Sequence, residues 1–353
     1  MKIAYILPSL DNRGPVNITK MLIDSIKAEP NIHIDVYYFK NIIAVEMGVP
    51  CYKINFFDKI DFDHYDIVHT TMLKPDLYIL KNSKLIKGKK ICSLHNYFIE
   101  DLAYLYKKPL SRILASLWKW SLSSFDLLIC ASDEMKLYYD KIVPKIPKAI
   151  VYYGIKDVPL FDIPNDDKVQ IIKLREKYKI IGTVCLLIKR KGLQQLVEFI
   201  AKNKNYAVVI VGDGEEYKYL SRLALECNVL DRFLLLGFRE NSKNYYAYFD
   251  IYAVTSYSEG FSLALIEAMS VGLPVICSRL DAFRGVLDDS DVAYFELDDS
   301  ESFTKAICEI EKNETLYSQN SRNKYIRYFS SDAMMRHMLK AYMYDEVATR
   351  VEP

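Results

Sequence analysis

Apolar residues fall into two alternating patterns along most of the chain. Short continuous runs mark KIAYILP, HIDVYYF, YDIVHTT, KKICSLH, DLLICAS and KAIVYYG in the first half. Runs of this length and continuity predict strands buried on both faces. Between several of them apolar positions recur every three or four residues, in ITKMLIDSIKA, KPDLYILKNSKLI, LSRILASLWKWSL and DEMKLYYDKIV. That spacing predicts helices with one apolar face. The alternation predicts a mostly parallel sheet with helices on both sides.

The pattern then restarts. A loop with two prolines and mixed charge, GIKDVPLFDIPNDDK, leads into IIGTVCLL, YAVVIVG, RFLLLGF, DIYAVTS, PVICS and AYFEL. Helical patterns GLQQLVEFIA, EEYKYLSRLALEC and SLALIEAMSVG lie among these, and three more helical segments follow residue 300. At 353 residues the chain is too long for one comfortable core. The expectation is an α/β protein of two doubly wound, Rossmann-like units, 1–160 and 161–330, joined near residues 155–165.

Charge and composition narrow the function. Lysine and arginine number 47 against 46 acids, a net charge of +1, which argues against a general nucleic-acid binder. No run of about 20 apolar residues predicts a membrane-spanning helix, and the first residues lack the pattern of a signal peptide. The seven cysteines form no Cys-x-x-Cys pair. They read as reduced thiols of a cytoplasmic protein rather than as a zinc site or disulfide framework. Asp61-Phe-Asp63 has the spacing of a metal-binding pair, but it precedes a strand, and no metal is expected.

The stretch SYSEGFSLALIEAMSVGLP, residues 256–274, carries the most chemistry. DIYAVTS reads as a strand and YSEGFS as the loop beyond its carboxyl end, where open α/β sheets bind ligands. Ser262 is placed to cap the helix that Gly272 and Pro274 end. The backbone amides of Gly260, Phe261, Ser262 and Leu263 can face a diphosphate at the helix start. Glu267 is the one charge in an otherwise apolar helix, so it needs donors: a buried Lys or Arg, or the hydroxyls of a ribose. Glu259 lies on the other side of the phosphate position, towards whatever the phosphate carries. A nucleoside diphosphate sugar has its parts in that order.

This stretch resembles the Glu-x7-Glu signature of retaining glycosyltransferases of the family 4 type, which have the GT-B fold. The pair is Glu259 and Glu267, followed by AMSVGLPVICS. VGDGEEYKYL resembles the strand, turn and helix near the donor. LLLGFRENSKNYYAYFDIYAVTS resembles the strand and loop that hold the nucleotide base, with Phe238 in that loop. RKGLQQLVEFI resembles the Lys-Gly segment, SLHNYF the place of a functional histidine and VYYGI the turn that follows the first domain. The resemblance spans nearly the whole chain and is strongest in the second half.

It implies two Rossmann-like domains facing a central cleft. The second domain would bind the donor and the first the acceptor, with a last helix, about 331–353, crossing back to the first domain. It implies catalytic roles for Glu259, His95 and Lys191, with His95 at the donor sugar and Lys191 at the diphosphate. The donor would be a nucleotide sugar, by association a UDP-sugar, and no cofactor is needed. The acceptor would be a glycan or lipid-linked glycan of a bacterial surface polysaccharide such as lipopolysaccharide or capsule. Two positions depart from the family. Leu186 stands where an arginine is usual, so Lys189 or Arg190 would supply the second cation. Gly14, in NRGPVN, stands in for a Gly-Gly loop on the acceptor and phosphate side. These departures leave open a non-catalytic sugar-nucleotide-binding partner subunit; a sugar-nucleotide epimerase shares the fold and is a second alternative.

One segment stands outside this scheme. LYKKPLSRILASLWKWSLSS, residues 105–124, has Lys107, Lys108, Arg112 and Lys119, two tryptophans and no acid. Most of its apolar stripe is expected to pack on the sheet. The exposed remainder, with both tryptophans, is expected to touch anionic head groups on the inner face of the cell membrane.

Overall fold

A computed structural model of the chain describes residues 1–157, 161–259, 262–280, 283 and 285–343. It divides into two units: Met1–Gly154 with the segment from Ser331, and Ile155–Ser330.

In unit 1 the elements run β1 (Lys2–Leu10), α1 (Gly14–Ile26), β2 (His33–Ile43), β3 (Cys51–Lys53), β4 (Ile67–Thr71), α2 (Leu73–Asn82), β5 (Lys89–Leu94), α3 (Phe98–Leu105), α4 (Leu110–Leu122), β6 (Leu127–Cys130), α5 (Asp133–Ile142) and β7 (Lys148–Ile150). The strands form one parallel sheet in the order β3-β2-β1-β4-β5-β6-β7. Successive side chains on a strand point to opposite faces, and here both faces are apolar. Ile3, Tyr5 and Leu7, with Ile67 and Ile91, enter one core. Ile6, Val68, Cys92 and Leu128 enter the other, together with Tyr78, Phe98, Trp118 and Tyr139 from the helices.

Unit 2 comprises α6 (Asn165–Arg175), β8 (Lys179–Val184), α7 (Gln194–Lys202), β9 (Tyr206–Val211), α8 (Tyr217–Glu226), β10 (Phe233–Gly237), β11 (Ile251–Val254), α9 (Leu263–Ser270), β12 (Val275–Ser278), β13 (Ala293–Phe295), α10 (Ser300–Lys312) and α11 (Glu314–Lys324). Its parallel sheet has the order β10-β9-β8-β11-β12-β13. Ile181, Val208, Ile210, Ile251 and Ile276 join Phe199 and Phe303 in its core. A final helix, α12 (Ser331–Met343), packs against α1 in unit 1. Met334, Met338 and Tyr342 from α12 enter the core that Tyr5 shares.

The apolar runs mark their strands to within a few residues. Three elements go beyond the sequence pattern. β3 is a three-residue exposed edge strand, too short for a period to show. α3 follows β5 after only a short connection. α6 begins inside the proline-bearing loop, at Asn165 after Pro164, a residue whose fixed φ suits the entry to a helix. A second difference concerns the tryptophans of 105–124. Trp118 is 4% exposed and Trp120 60%, because two positions along a helix point to nearly opposite sides.

Both sheets reverse direction beside their first strand, between β1 and β4 and between β8 and β11. Loops leaving the carboxyl ends of such neighbours diverge and open a crevice, where ligands of doubly wound folds bind. In unit 2 the loop after β8 carries Arg190 and Lys191, and the loop after β11 carries Glu259.

Candidate functional site

The turn at Lys191 is built by its neighbours. Lys189–Lys191 form one 3-10 turn that ends at Gly192 with φ +60, a left-handed conformation that costs a residue with a Cβ. Space demands glycine too: a Cβ there would lie 2.3 Å from the Thr255 carbonyl oxygen. Thr255 Oγ1 donates to the Lys191 carbonyl at 2.8 Å. The Gln195 amide donates to the Gly192 and Thr255 carbonyls at 3.1 and 3.0 Å. These bonds clamp the β8 loop to the end of β11.

The clamp brings two cations onto one carboxylate. Lys191 Nζ lies 2.6 Å from Glu259 Oε1, and Arg190 lies 3.3 Å from Oε2. Arg190 also donates to the Ser258 carbonyl, and the Tyr257 amide donates to the Arg190 carbonyl. Ser256 Oγ donates to Glu259 Oε1 at 2.5 Å. The Glu259 side chain is 5% exposed, so its charge has left water and is met by two cations and a hydroxyl, as a buried charge requires. A pocket beside it is lined by Cys185, Lys191, Thr255, Ser256, Glu259 and Ser262. Burial pushes the Cys185 thiol up to about 11, so it stays protonated at neutral pH.

The second glutamate sits one helix further on. Ser262 caps α9, its Oγ accepting from the Leu265 amide at 3.4 Å, and Leu263 is exposed at the first turn. Gly260 and Phe261 lie outside the described residues. Glu267 is half-buried and accepts from Tyr246 Oη at 2.9 Å. Burial raises its carboxyl above the ordinary value of 4.5, with the Tyr246 bond and Lys243 opposing the rise. Its donor is thus a tyrosine hydroxyl rather than a buried lysine or arginine. One bond leaves most of the acceptor capacity of a carboxylate unused. At its far end α9 is held by α11: Ser318 donates to the Gly272 carbonyl at 2.6 Å, and Arg322 donates to the Ser270 carbonyl and pairs with Asp157.

The remaining expected residues are placed as follows. Phe238 is exposed just beyond β10. Arg239 next to it is fixed by Asp167, which also accepts from Tyr245. Lys189 is exposed, and Leu186 is 66% exposed. In unit 1, Gly14 opens α1, and a Cβ on it would meet nothing within 4 Å. His95 follows β5; its Nδ1 lies 2.6 Å from Tyr153 Oη, and its buried Nε2 has no hydrogen-bond partner among the described residues. Burial lowers its pKa to about 4, so the ring is neutral at physiological pH. It lines a cavity with Tyr5, Thr19, His69, Ser93 and Tyr153.

Sequence reasoning missed Ser256, Thr255, Gln195 and Tyr246. Thr255, Gln195 and Tyr246 act on residues 64, 60 and 21 positions away, which no local pattern marks, and Ser256 bonds Glu259 within one loop that follows no helical or strand spacing. Among the described residues, no three His, Cys, Asp or Glu side chains cluster to hold a metal ion.

Two parallel Rossmann-like sheets, the second with its charged cluster at the switch point, define a chain of the GT-B type. Residues 164–329 match the family model described as Glycosyl transferases group 1, so unit 2 carries a domain of that group. The chain is 26% identical to the O-antigen biosynthesis glycosyltransferase WclY of Escherichia coli, over 95% of this chain and 96% of that one. It is 26% identical to the Escherichia coli UDP-Gal:alpha-D-GlcNAc-diphosphoundecaprenol alpha-1,3-galactosyltransferase, over 78% and 75% of the two chains. Among solved structures, Anabaena Alr3699/HepE in complex with UDP aligns with a TM-score of 0.73 at 16% identity, covering 97% of this chain and all of that one.

Proposed function

We propose that the protein is a retaining glycosyltransferase that moves a hexose from a UDP-sugar to a glycan or lipid-linked glycan acceptor in bacterial surface polysaccharide synthesis. The observation that carries this reading is Glu259, buried under Lys191 and Arg190 at the switch point of unit 2. A leaving diphosphate needs positive charge as the glycosidic bond breaks, and fixed cations supply it without reorganisation. Lys191, Arg190 and the amides at the start of α9 fill that role, and no metal is required. Glu259 takes the sugar side, where a carboxylate binds hydroxyls and stabilises positive charge at the anomeric carbon. Glu267 takes the ribose hydroxyls, and Phe238 the base. His95, being neutral, offers Nε2 as a hydrogen-bonding atom to substrate and not as a cation. Unit 1, including Gly14, takes the acceptor.

The donor assignment draws on the galactosyltransferase named for UDP-Gal and on the neighbour solved with UDP. The pathway draws on the O-antigen relative. The test incubates the full chain with a panel of nucleotide sugars and lipid-linked acceptors, with and without EDTA. Transfer from a UDP-sugar, with the anomeric configuration kept, is expected in both. An inverted product or activity abolished by EDTA would overturn the mechanism. Donor turnover without acceptor, yielding an isomerised sugar, would make the protein an epimerase instead.

A further inference from the structure

A glutamate side chain is flexible, so a carboxylate that is to receive a ligand at Glu267 needs something to order it. Tyr246 meets it from the turn that precedes β11. The Tyr246 ring is fully buried and stands edge-on to Phe249 and Tyr252, with centroids 6.1 and 5.5 Å away. Its seat reaches β8, where Gly182 leaves room for Phe249: a Cβ on that glycine would lie 2.1 Å from the phenyl ring. Tyr252 Oη is tied in turn to the Val184 carbonyl of β8 at 3.4 Å. Close packing of this kind holds a side chain in one rotamer. The Tyr246 hydroxyl is therefore a fixed point against which the Glu267 carboxyl is set.

That hydroxyl stands between two acceptors. Glu267 Oε2 lies 2.9 Å from Tyr246 Oη, and the Ala264 carbonyl lies 3.1 Å from it. Ala264 and Glu267 are one turn apart on the same face of α9. A phenol carries one proton, so it serves one acceptor at a time. Burial raises the Tyr246 pKa well above its ordinary value, which keeps it a donor. An ionised carboxylate is the stronger acceptor and takes the proton. A protonated carboxyl loses that advantage, and the carbonyl then competes. The other titratable groups set against Glu267 are Lys243 from the same turn and Tyr252 from β11. Elements packed on α9 bring Cys277 of β12, a thiol that burial keeps protonated, Arg322 of α11, which pairs with Asp157, and Tyr325, which donates to the Ile155 carbonyl. Among the described residues, Tyr246 is the side chain that hydrogen-bonds the Glu267 carboxylate.

We propose that Tyr246 is a positioning residue of the donor site: it holds the ionised Glu267 carboxylate in the orientation that receives the ribose hydroxyls, and turns to the Ala264 carbonyl when Glu267 is protonated. This rests on the reading of Glu267 as the ribose contact, and the test separates the two. Uridine affinity of the full chain is measured by calorimetry from about pH 5 to about pH 8 in wild type, Tyr246→Phe, Glu267→Gln and the double variant. Tyr246→Phe keeps the ring and its contacts, and a melting curve shows each variant folded. It should weaken uridine roughly three- to tenfold at neutral pH, the range for one hydrogen bond. Its acidic loss of affinity should begin at a higher pH than in wild type, because the Tyr246 bond opposes the rise that burial causes in Glu267. The double variant should bind no more weakly than Glu267→Gln alone, since Tyr246 acts through that carboxylate. Tyr317→Phe, which deletes a hydroxyl bonded to the Asp289 carbonyl elsewhere in unit 2, should leave affinity unchanged. The proposal is overturned if Tyr246→Phe keeps the wild-type affinity and pH profile, or if the losses of the two single variants multiply in the double. If Glu267→Gln weakens uridine and Tyr246→Phe does not, the ribose reading stands and Tyr246 only packs. If Glu267→Gln binds as tightly as wild type, the ribose reading fails and the role of Tyr246 fails with it.

Discussion

Lys191 Nζ lies 2.6 Å from Glu259 Oε1, so the cation assigned to the diphosphate also neutralises the carboxylate assigned to the sugar. Removing either one therefore acts on the other. Lys191→Ala should lower transfer strongly and also destabilise unit 2. Breaking a buried pair costs at most about 3–5 kcal/mol. The cost should be smaller here, because Lys191 keeps 17% exposure and Arg190 and Ser256 stay on Glu259. Glu259→Gln should keep nucleotide affinity and lose most transfer, since its interaction is made mainly in the transition state. Calorimetry with UDP beside transfer rates separates the two effects. Wild-type turnover in Glu259→Gln would remove Glu259 from the chemistry.

Arg190, not Lys189, reaches Glu259, and it does so from a three-residue turn rather than from the position held by Leu186. Arg190→Gln should reduce transfer by roughly a hundredfold, the lower end for loss of one charge-stabilising donor. Lys189→Gln should leave it near wild type. The decisive measurement is the ratio of the two rates under saturating donor. Equal losses would mean that the run acts only as diffuse positive charge, and a larger loss in the lysine variant would reverse the assignment.

The pattern of the chain made the strands and the loop that carries Glu259 legible, and physics explains where legibility stopped. DIYAVTS and YSEGFS located a strand end and its loop because buried parallel strands read as continuous apolar runs. The partners of the two glutamates were not legible. Lys191 and Tyr246 bond Glu259 and Glu267 through tertiary contacts, and no periodicity encodes two distant segments meeting. Lys189 and Arg190 were indistinguishable because a tight turn follows no helical or strand spacing. The sequence pattern of 105–124 leaves both tryptophans exposed, whereas helical geometry puts Trp118 and Trp120 on different faces. What the sequence concealed was Asp76, the buried acceptor that selects which one goes in.

Asp76 should make stability depend on pH. Burial pushes its carboxyl up to about 7, against the hydrogen bonds from Thr70, Trp118 and Cys92. A folded value above the ordinary 3.8 means the native state holds the proton more tightly. This stabilising contribution is complete below the unfolded value and is lost as pH rises through about 7. His69 and His95 act in the opposite sense, because burial lowers both, and they favour the folded state as pH rises towards neutrality. The difference between wild type and Asp76→Asn isolates the carboxyl. Relative to the variant, the wild-type melting temperature should fall from about pH 4 to about pH 7 and level off above that. A constant difference over that range would mean that Asp76 does not change protonation there.

Glu267 should show a conflict between stability and binding. Its carboxyl is half-buried, and burial raises it above the ordinary glutamate value, with Tyr246 as its hydrogen-bond donor. The stability linked to its proton is present at low pH and lost as pH rises through the raised value. At neutral pH the ionised group therefore costs stability, which a ribose donating two hydroxyls would offset. Glu267→Gln removes the charge while keeping the shape and an acceptor for Tyr246. The variant should melt no lower than the wild type at neutral pH, yet bind nucleoside about tenfold or more weakly, a difference of about 1.4 kcal/mol. Uridine is the better probe for the pH dependence, since it carries no phosphate that titrates nearby. Its affinity for the wild-type protein should fall on acidification, beginning above the ordinary carboxylate range, and the affinity of Glu267→Gln should not. If the variant loses melting temperature and keeps its affinity for uridine and UDP, Glu267 is a structural carboxylate for Tyr246, and the ribose must be held elsewhere.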